Sequence, residues 1–405
     1  MNIRSITLFA NIEDLNSATS AIQAAGQAAN EAREIFEGAG FPVQTLRLAT
    51  QPLSELPGQP QALAAELGDR CRAAGFDYLS LGPVLASAPD ADLSRLDTIP
   101  QLIQASEDLF VGVLVAQHNH GIHLQAIQRT ARIIRQIAHS TDQGFGNLRL
   151  AVLANVGPHA PFFPAAYHDG GAPALGIATE SADLAVDVLA QPGSLNEAQA
   201  RMVEIIEAAA SRIEALARPL AARHGCRYAG LDFSLAPFPE ERRSIGAAIE
   251  RLGVDRFGMP GTLFVASLLT GCLQQAGFAH TGFNGLMLPV LEDAVLAARS
   301  QTGSFTVNDL LLYSAVCGTG LDTVPLPGDV SEEELAGILL DMATLALRLN
   351  KPLTARLMPI PGAQAGDMTR FDFAYFANGR ILDVKGAGST GLFDRAPWWD
   401  DDAGS

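Results

Sequence analysis

Short runs of branched and aromatic residues alternate with longer amphipathic stretches between Ile3 and His139, and this rhythm leaves few folds open. Apolar runs of strand length predict strands at Ile3–Phe9, Val43–Thr50, Tyr78–Leu81 and Leu109–Ala116. Helices are predicted between and after them, over Asp14–Ala39, Gln61–Ala74, Ile99–Ser106 and Leu124–His139. Parallel strands with helical crossovers are the economical reading of such alternation, which makes the chain an α/β protein. Beyond it, strands are predicted at Leu148–Ala154, Leu175–Ala178, Leu231–Leu235, Leu286–Val290 and Leu353–Ile360. Helices are predicted at Asn196–His224, Glu240–Leu252, Thr262–Ala276 and Val307–Val316, and from the Ser331/Glu334 capping box to Leu349. Cys317–Asp322 reads as a tight glycine turn, and Phe371–Phe376 with Arg380–Val384 reads as a hairpin around Asn378-Gly379.

No low-complexity linker or internal repeat divides the 405 residues, so one large domain over residues 1–385 is expected, followed by a loosely held acidic tail at 386–405. Hydrophobic residues make up 48% of the chain and charged residues 18%, enough for a large core. The net charge of −17 argues against nucleic acid or an anionic membrane as a partner, because both require a basic footprint. The N-terminus lacks a signal-peptide pattern, and the longest apolar stretch, Gly261–Leu273, is too short for a membrane span. The four cysteines are scattered, without CxxC spacing, which suits a reducing cytoplasm. A homodimer is the default expectation for such a protein.

The stretch Leu148–Gly171 carries the first candidate site. An apolar strand there runs into a loop with Asn155, His159, His168 and Asp169 among glycines and prolines. Loops at strand ends are where α/β proteins present ligand-binding groups. His168 beside Asp169 suits an oriented acid/base pair, and equally suits plain loop hydrogen bonding. His118, His120 and His123 sit where a strand hands over to a helix. Three imidazoles in six residues can approach one divalent metal ion, although capping of the helix is the stronger reading. Asp232 and Ser234 fall on one side of an apolar strand, where a carboxylate is costly unless paired or metal-bound. Glu292, Asp293 and Asp322 lie beside strand ends or turns, where carboxylates hold a cation or cap helices. Cys317 is either a thiol nucleophile or a buried thiol. Gly258, Gly261 and Thr262 open a helix in the manner of an anion cradle. The GxGxxG run at 386–391 has no βαβ unit around it and is set aside.

These residues together resemble the DUF711, or UPF0210, family of bacterial and archaeal proteins along nearly the whole chain. The likeness rests on Ile3-Arg4-Ser5-Ile6-Thr7, Gly144-Phe145-Gly146, Leu153-Ala154-Asn155 with Pro161-Phe162, and Ala166-Tyr167-His168. It continues through Leu231–Pro237, Gly258/Gly261-Thr262, Pro289 with Glu292-Asp293, Cys317–Asp322, Arg356, Pro359 and Gly366-Asp367-Met368. The chain departs from the pattern at His118-Asn119-His120 and at Phe233 and Phe238. The resemblance implies a ten-stranded β/α barrel like that of pyruvate formate-lyase. Radical chemistry does not follow, because no glycyl-radical segment and no adjacent cysteine pair is present.

The expected function is therefore a non-radical enzyme acting on a small polar or anionic metabolite, by lyase, isomerase or hydrolase chemistry. Asn155 and His168 would orient or protonate the substrate, and Asp232 and Glu292 would serve as base or metal ligands. Arg356 would grip an anionic group, with Ser234, Asp322 and the Gly258 turn as further ligand contacts. The alternative is a non-catalytic sensor on the same scaffold.

Overall fold

The computed structural model describes residues 1–56, 58, 60–191, 193–386 and 391–399, and the side chains of all of these except residues 15 and 16. The GxGxxG run and the acidic end of the tail fall wholly or partly outside that set. Ten strands are present among the described residues: β1 (Asn2–Phe9), β2 (Val43–Ala49), β3 (Tyr78–Leu85), β4 (Leu109–Gln117), β5 (Gly121–Ile122), β6 (Leu150–Ala154), β7 (Ala174–Glu180), β8 (Arg227–Asp232), β9 (Gly320–Pro327) and β10 (Leu353–Ile360). The helices are α1 (Leu15–Gly38), α2 (Pro60–Ala73), α3 (Ile99–Ala105), α4 (Leu124–Ser140), α5 (Ala182–Leu189) and α6 (Leu195–Arg223). They continue with α7 (Ile245–Arg251), α8 (Thr262–Gln275), α9 (Ala294–Gln301), α10 (Val307–Ser314) and α11 (Glu332–Arg348).

All ten strands belong to one sheet, ordered β8-β7-β1-β2-β3-β4-β6-β10-β9 with β5 paired to the end of β4. β1, β2, β3, β4 and β6 run parallel. Each outer pair runs the other way: β7 is antiparallel to β1 with β8 parallel to β7, and β10 is antiparallel to β6 with β9 parallel to β10. The alternation read from the first third of the sequence is thus correct. Among the described residues no ladder joins β8 to β9, and the sheet is not closed by continuous hydrogen bonding. Segment 286–290, expected as a strand, makes only single bridges, Leu235 to Leu286 on one side and Pro289 to Asp322 on the other. Pro289 has no N–H with which to extend either bridge.

The two faces of the sheet are covered differently. Ile6, Leu8, Leu46, Leu48, Val111, Val113, Leu150 and Val152 face the helices and belong to the main core. The opposite face is covered by the loop between β6 and β7: Val156, Ala160, Phe162 and Ala165 pack on Leu114, Ala151 and Leu153, and Phe163 and Ala166 pack on Phe9, Ala49 and Phe110. Buried hydroxyls hold this loop in place. Ser5 donates to the Pro161 carbonyl (3.3 Å) and Ser80 to the Ala166 carbonyl (2.8 Å).

Three local expectations change. The glycine turn is shorter than its motif, because β9 starts at Gly320 and takes in Asp322. The helix expected over Glu240–Leu252 is interrupted at Ser244, which caps α7 and donates to buried Asp293 (2.5 Å). The C-terminal hairpin has no strands: one bridge, Met368 to Arg380, closes a loop held by the Asn378 side chain, which accepts from the Phe371 N–H (2.8 Å) and donates to the Phe371 carbonyl (3.0 Å). Phe373 and Phe376 pack edge-on with Phe145, and Phe371 packs tilted on Phe145 and edge-on to Phe376, so aromatic packing rather than strand pairing shapes this loop. In the tail, Trp399 pairs with Ile122 through two backbone bonds of 2.7 and 2.9 Å. Among the described residues no helix is long and apolar enough to cross a membrane.

Candidate functional site: a cavity walled by alternating charges

Strand alternation places β2 residues Thr45 and Arg47 on the loop-covered face, with Ala49. On β8 it places Asp232 and Ser234 there, while Leu231, Phe233 and Leu235 face the helices. Two bulges add charges that simple alternation would not predict. In β1 both Ile3 and Ile6 face the helices, and the register with β7 slips between Ile3 and Ser5, so Arg4 turns to the loop side. In β9 both Leu321 and Val324 face the helices, and the register with β10 slips opposite Ala355–Leu357, which turns Asp322 toward Arg356. A bulge characteristically re-aims one side chain in this way.

The result is a pocket with about 780 Å³ of space unfilled by atoms, open solvent at its mouth included, of which about 80 Å³ is room for the centre of a water-sized sphere. Its polar lining is Arg4, Gln44, Thr45, Arg47, Tyr78, Thr179, Asp232, Ser234, Glu292, Arg356 and Tyr375, and Phe110, Phe162, Phe163, Met287 and Phe373 supply much of the apolar lining. A chain of alternating charges runs along the wall. Arg243 and Arg4 (3.7 Å) both pair with Glu180; Arg4 and Arg356 (2.7 Å) both pair with Glu292; and Arg356 also pairs with Asp322. Glu180, Glu292, Asp322 and Arg356 are all at most 4% exposed, so these pairs are poorly screened.

The environments separate the carboxylates. Burial raises the pKa of Glu292, but Arg356 and Arg4 outweigh it and hold the group below the usual carboxylate range. Burial raises Asp232, and the hydrogen bonds from Phe283, Ser234 and Asn284 only partly oppose it. Asp322 is also raised, by burial and by neighbouring Glu292, against the pull of Arg356. Asp232 accepts from the Ser234 hydroxyl and N–H (3.1 Å), the Asn284 N–H (3.1 Å) and, at Oδ2, the Phe283 N–H (2.9 Å). Gly282, at φ 73°, makes this approach feasible, because a Cβ there would lie 2.3 Å from Asp232 Oδ2.

Of the residues singled out in the sequence, Asp232, Ser234, Glu292 and Arg356 meet in the cavity, and Asp322 joins them through Arg356. The others lie elsewhere. His168 is fully buried, with Nδ1 accepting from the Gly170 N–H (3.0 Å) and Nε2 donating to the Ala172 carbonyl (3.1 Å), so both ring nitrogens serve its own loop. Asn155, at φ 55°, accepts from the His118 N–H (2.7 Å) and donates to the Ala346 carbonyl (2.9 Å), tying two loops to the end of α11. Cys317 is buried, and its sulfur accepts from the Gly320 N–H. Gly258 donates to Thr262 (3.0 Å), and Thr262 donates to the Met259 carbonyl (2.8 Å), so the turn at Gly258–Gly261 is closed on itself.

His123 caps α4 through Nδ1 (3.3 Å), His118 is exposed, and His120 lies 3.4 Å from Ser87. Among the described residues, the one set of three histidine, cysteine or carboxylate groups whose ligating atoms come within 4.8 Å of one another is His159, His168 and Asp169, not the His118 trio. There the Arg227 guanidinium contacts the His159 ring (3.1 Å), and His168 has no nitrogen to spare, so the donor set suits a cation poorly.

Sequence reasoning missed Arg4, Arg47, Glu180 and Arg243. A signal for the two bulges was present: Ile3-Arg4-Ser5-Ile6 and Leu321-Asp322-Thr323-Val324 each set a polar pair between apolar residues three apart inside a strand.

Fold and site together define a mixed α/β protein whose sheet carries a buried arginine–carboxylate cavity. By sequence the chain belongs to the family described as uncharacterised ACR (DUF711), whose model matches residues 1–377. Its curated relatives are UPF0210 proteins. That of Methanopyrus kandleri is 32% identical over 366 residues, 85% of this chain and 81% of the relative. That of Pyrobaculum arsenaticum is 31% identical, over 83% and 78% respectively. One from Desulforudis audaxviator is 29% identical, over 86% and 80%.

Proposed function

We propose that the chain is a non-radical enzyme that acts by acid/base chemistry on a small polar or anionic metabolite held in this cavity. The observation that carries the proposal is the presence of two buried carboxylates on one cavity wall whose pKa values are driven apart, Glu292 downward and Asp232 upward. Separated pKa values are how one site holds a base and an acid at the same pH. Glu292, kept ionised between two guanidiniums, is the base. Asp232 is the acid, since Oδ2 accepts a single N–H and keeps a lone pair for a proton. Ser234, donating to Asp232, is placed to contact the substrate. Arg4, Arg47 and Arg356 line the same space, so a divalent cation would meet three positive groups there. Of the acid/base and metal-assisted routes, the electrostatics favour the one without a metal. The bridges at Leu286 and Pro289 support a ten-stranded β/α barrel around the cavity, as in pyruvate formate-lyase. A cytoplasmic homodimer is part of the same proposal.

One observation favours a sensor instead: every carboxylate on the wall is already ion-paired or amide-bonded, which suits binding as well as turnover. The test is incubation of the purified chain with a panel of small hydroxy, oxo and amino acids in deuterated water, followed by NMR. The expected result is deuterium incorporation or a new product from one class, reduced about 100-fold or more in Asp232→Asn and in Glu292→Gln, with folding checked by circular dichroism. Ligand-induced stabilisation without exchange or conversion selects the sensor, and activity unchanged in both folded variants refutes the assignment of base and acid.

A further inference from the structure

We propose that the ligand of this cavity is an anion with an apolar body, and that Arg47 is the residue that grips its carboxylate or phosphate oxygens. The inference rests on the cavity being the ligand site and adds the chemical class of what it takes. The charges on the wall balance without Arg47: Arg243, Arg4 and Arg356 face Glu180, Glu292 and Asp322 in one alternating chain. Arg47 stands outside it. Among the described residues no carboxylate lies within ion-pairing distance of its guanidinium. Nε donates to the Thr45 hydroxyl (2.9 Å), and the group lies 5.1 Å from the Phe163 ring centroid and 5.7 Å from that of Tyr78. Aromatic faces attract a cation but offer no oxygen to its outer N–H groups.

Asp232, the remaining acid of the wall, is turned to the amides of Phe283 and Asn284. The electrostatic surroundings of Arg47 agree with this geometry. Burial and the repulsion of Arg4 and Arg356 outweigh the attraction of Tyr78 and Glu292, pulling Arg47 down to about 10. A half-buried guanidinium without a counter-charge has lost part of its hydration with no ion pair to offset the loss. An incoming anion offsets that loss and receives the planar, two-pronged donor set that carboxylates and phosphates fit. Phe110, Met287 and Phe373 leave the rest of the ligand an apolar wall.

The probes are benzoate, phenyl phosphate and neutral benzamide, titrated calorimetrically into the full chain at constant ionic strength. The expected result is that at least one anion binds about tenfold or more tightly than benzamide, and that Arg47→Met removes the advantage while leaving the melting temperature unchanged or higher. Arg47→Lys should restore part of it. A preference for phenyl phosphate or for benzoate identifies the head group. The proposal is overturned if benzamide binds as well as both anions, if neither anion binds, or if the folded Arg47→Met protein binds an anion unchanged. Ala178→Leu, which narrows the cavity, separates this failure from that of the cavity. If it abolishes benzamide binding while the anions show no advantage, the cavity remains the ligand site and only the anion assignment falls. If every probe that binds does so unchanged in Ala178→Leu, both assignments fall.

Discussion

His159 shows how a residue prominent in the sequence can matter for stability rather than for the site. The residue is 5% exposed, and its ring sits edge-on to Phe9 and His168 and is contacted by the Arg227 guanidinium. Burial depresses it to about 4, with Arg227 and His168 adding to the effect and Asp169 opposing it. Unfolded, the imidazole takes up its proton near its ordinary value of 6.5, whereas the folded protein stays neutral down to about 4. In that interval the unfolded state binds more protons, so stability rises with pH. Urea unfolding measured from pH 7 to pH 4 should lose ~3 kcal/mol through this group, and His159→Asn, which tolerates the positive φ of 67°, should flatten the slope. An unchanged slope in the variant would refute the assignment. Glu292 adds a loss in the same direction at lower pH: its folded value is depressed, so its contribution fades as pH falls below the ordinary carboxylate range.

Elements were legible where a single period governs them. Asp232 and Ser234 could be assigned to one face from sequence because two-residue alternation holds through Leu231–Leu235. Arg4 and Asp322 escaped because a bulge adds one residue and breaks the period locally. Cys317–Asp322 looked like a turn on account of its glycines, yet one glycine answers to a neighbour distant in sequence. Gly318 lies back to back with Gly285, where a Cβ would fall 2.2 Å from the Gly318 Cα. Gly285→Ala should therefore push apart the loops that precede segment 286–290 and β9, at a cost of about 3 kcal/mol or more in equilibrium unfolding. A cost under about 1 kcal/mol would mean that the loops yield easily. The hairpin expectation failed for a related reason. Asn378-Gly379 is a turn signal, but the aromatic residues around it satisfy themselves against Phe145.

At the scale of the molecule, the net charge of −17 makes the surface self-repelling, whereas the cavity network is buried and out of reach of salt. Raising NaCl from ~10 to ~150 mM should thus raise the melting temperature by ~2 °C through screening at the surface. A fall of similar size would place the dominant ion pairs at the surface instead. The sequence alone determined the α/β class, most of the strands and helices, the capping box at Ser331, and the shared face of Asp232 and Ser234. Each of these follows from periodicity or capping within a few residues. Tertiary structure decided which charges meet. Arg4 and Glu292 are 288 positions apart and Arg356 and Glu292 are 64 apart, and their meeting depends on strand order and two bulges that no local pattern specifies. It also laid the loop after β6 over the sheet: the hydrogen bonds of His168 and Asn155 hold that loop, and Phe162 and Phe163 line the cavity beside Arg47.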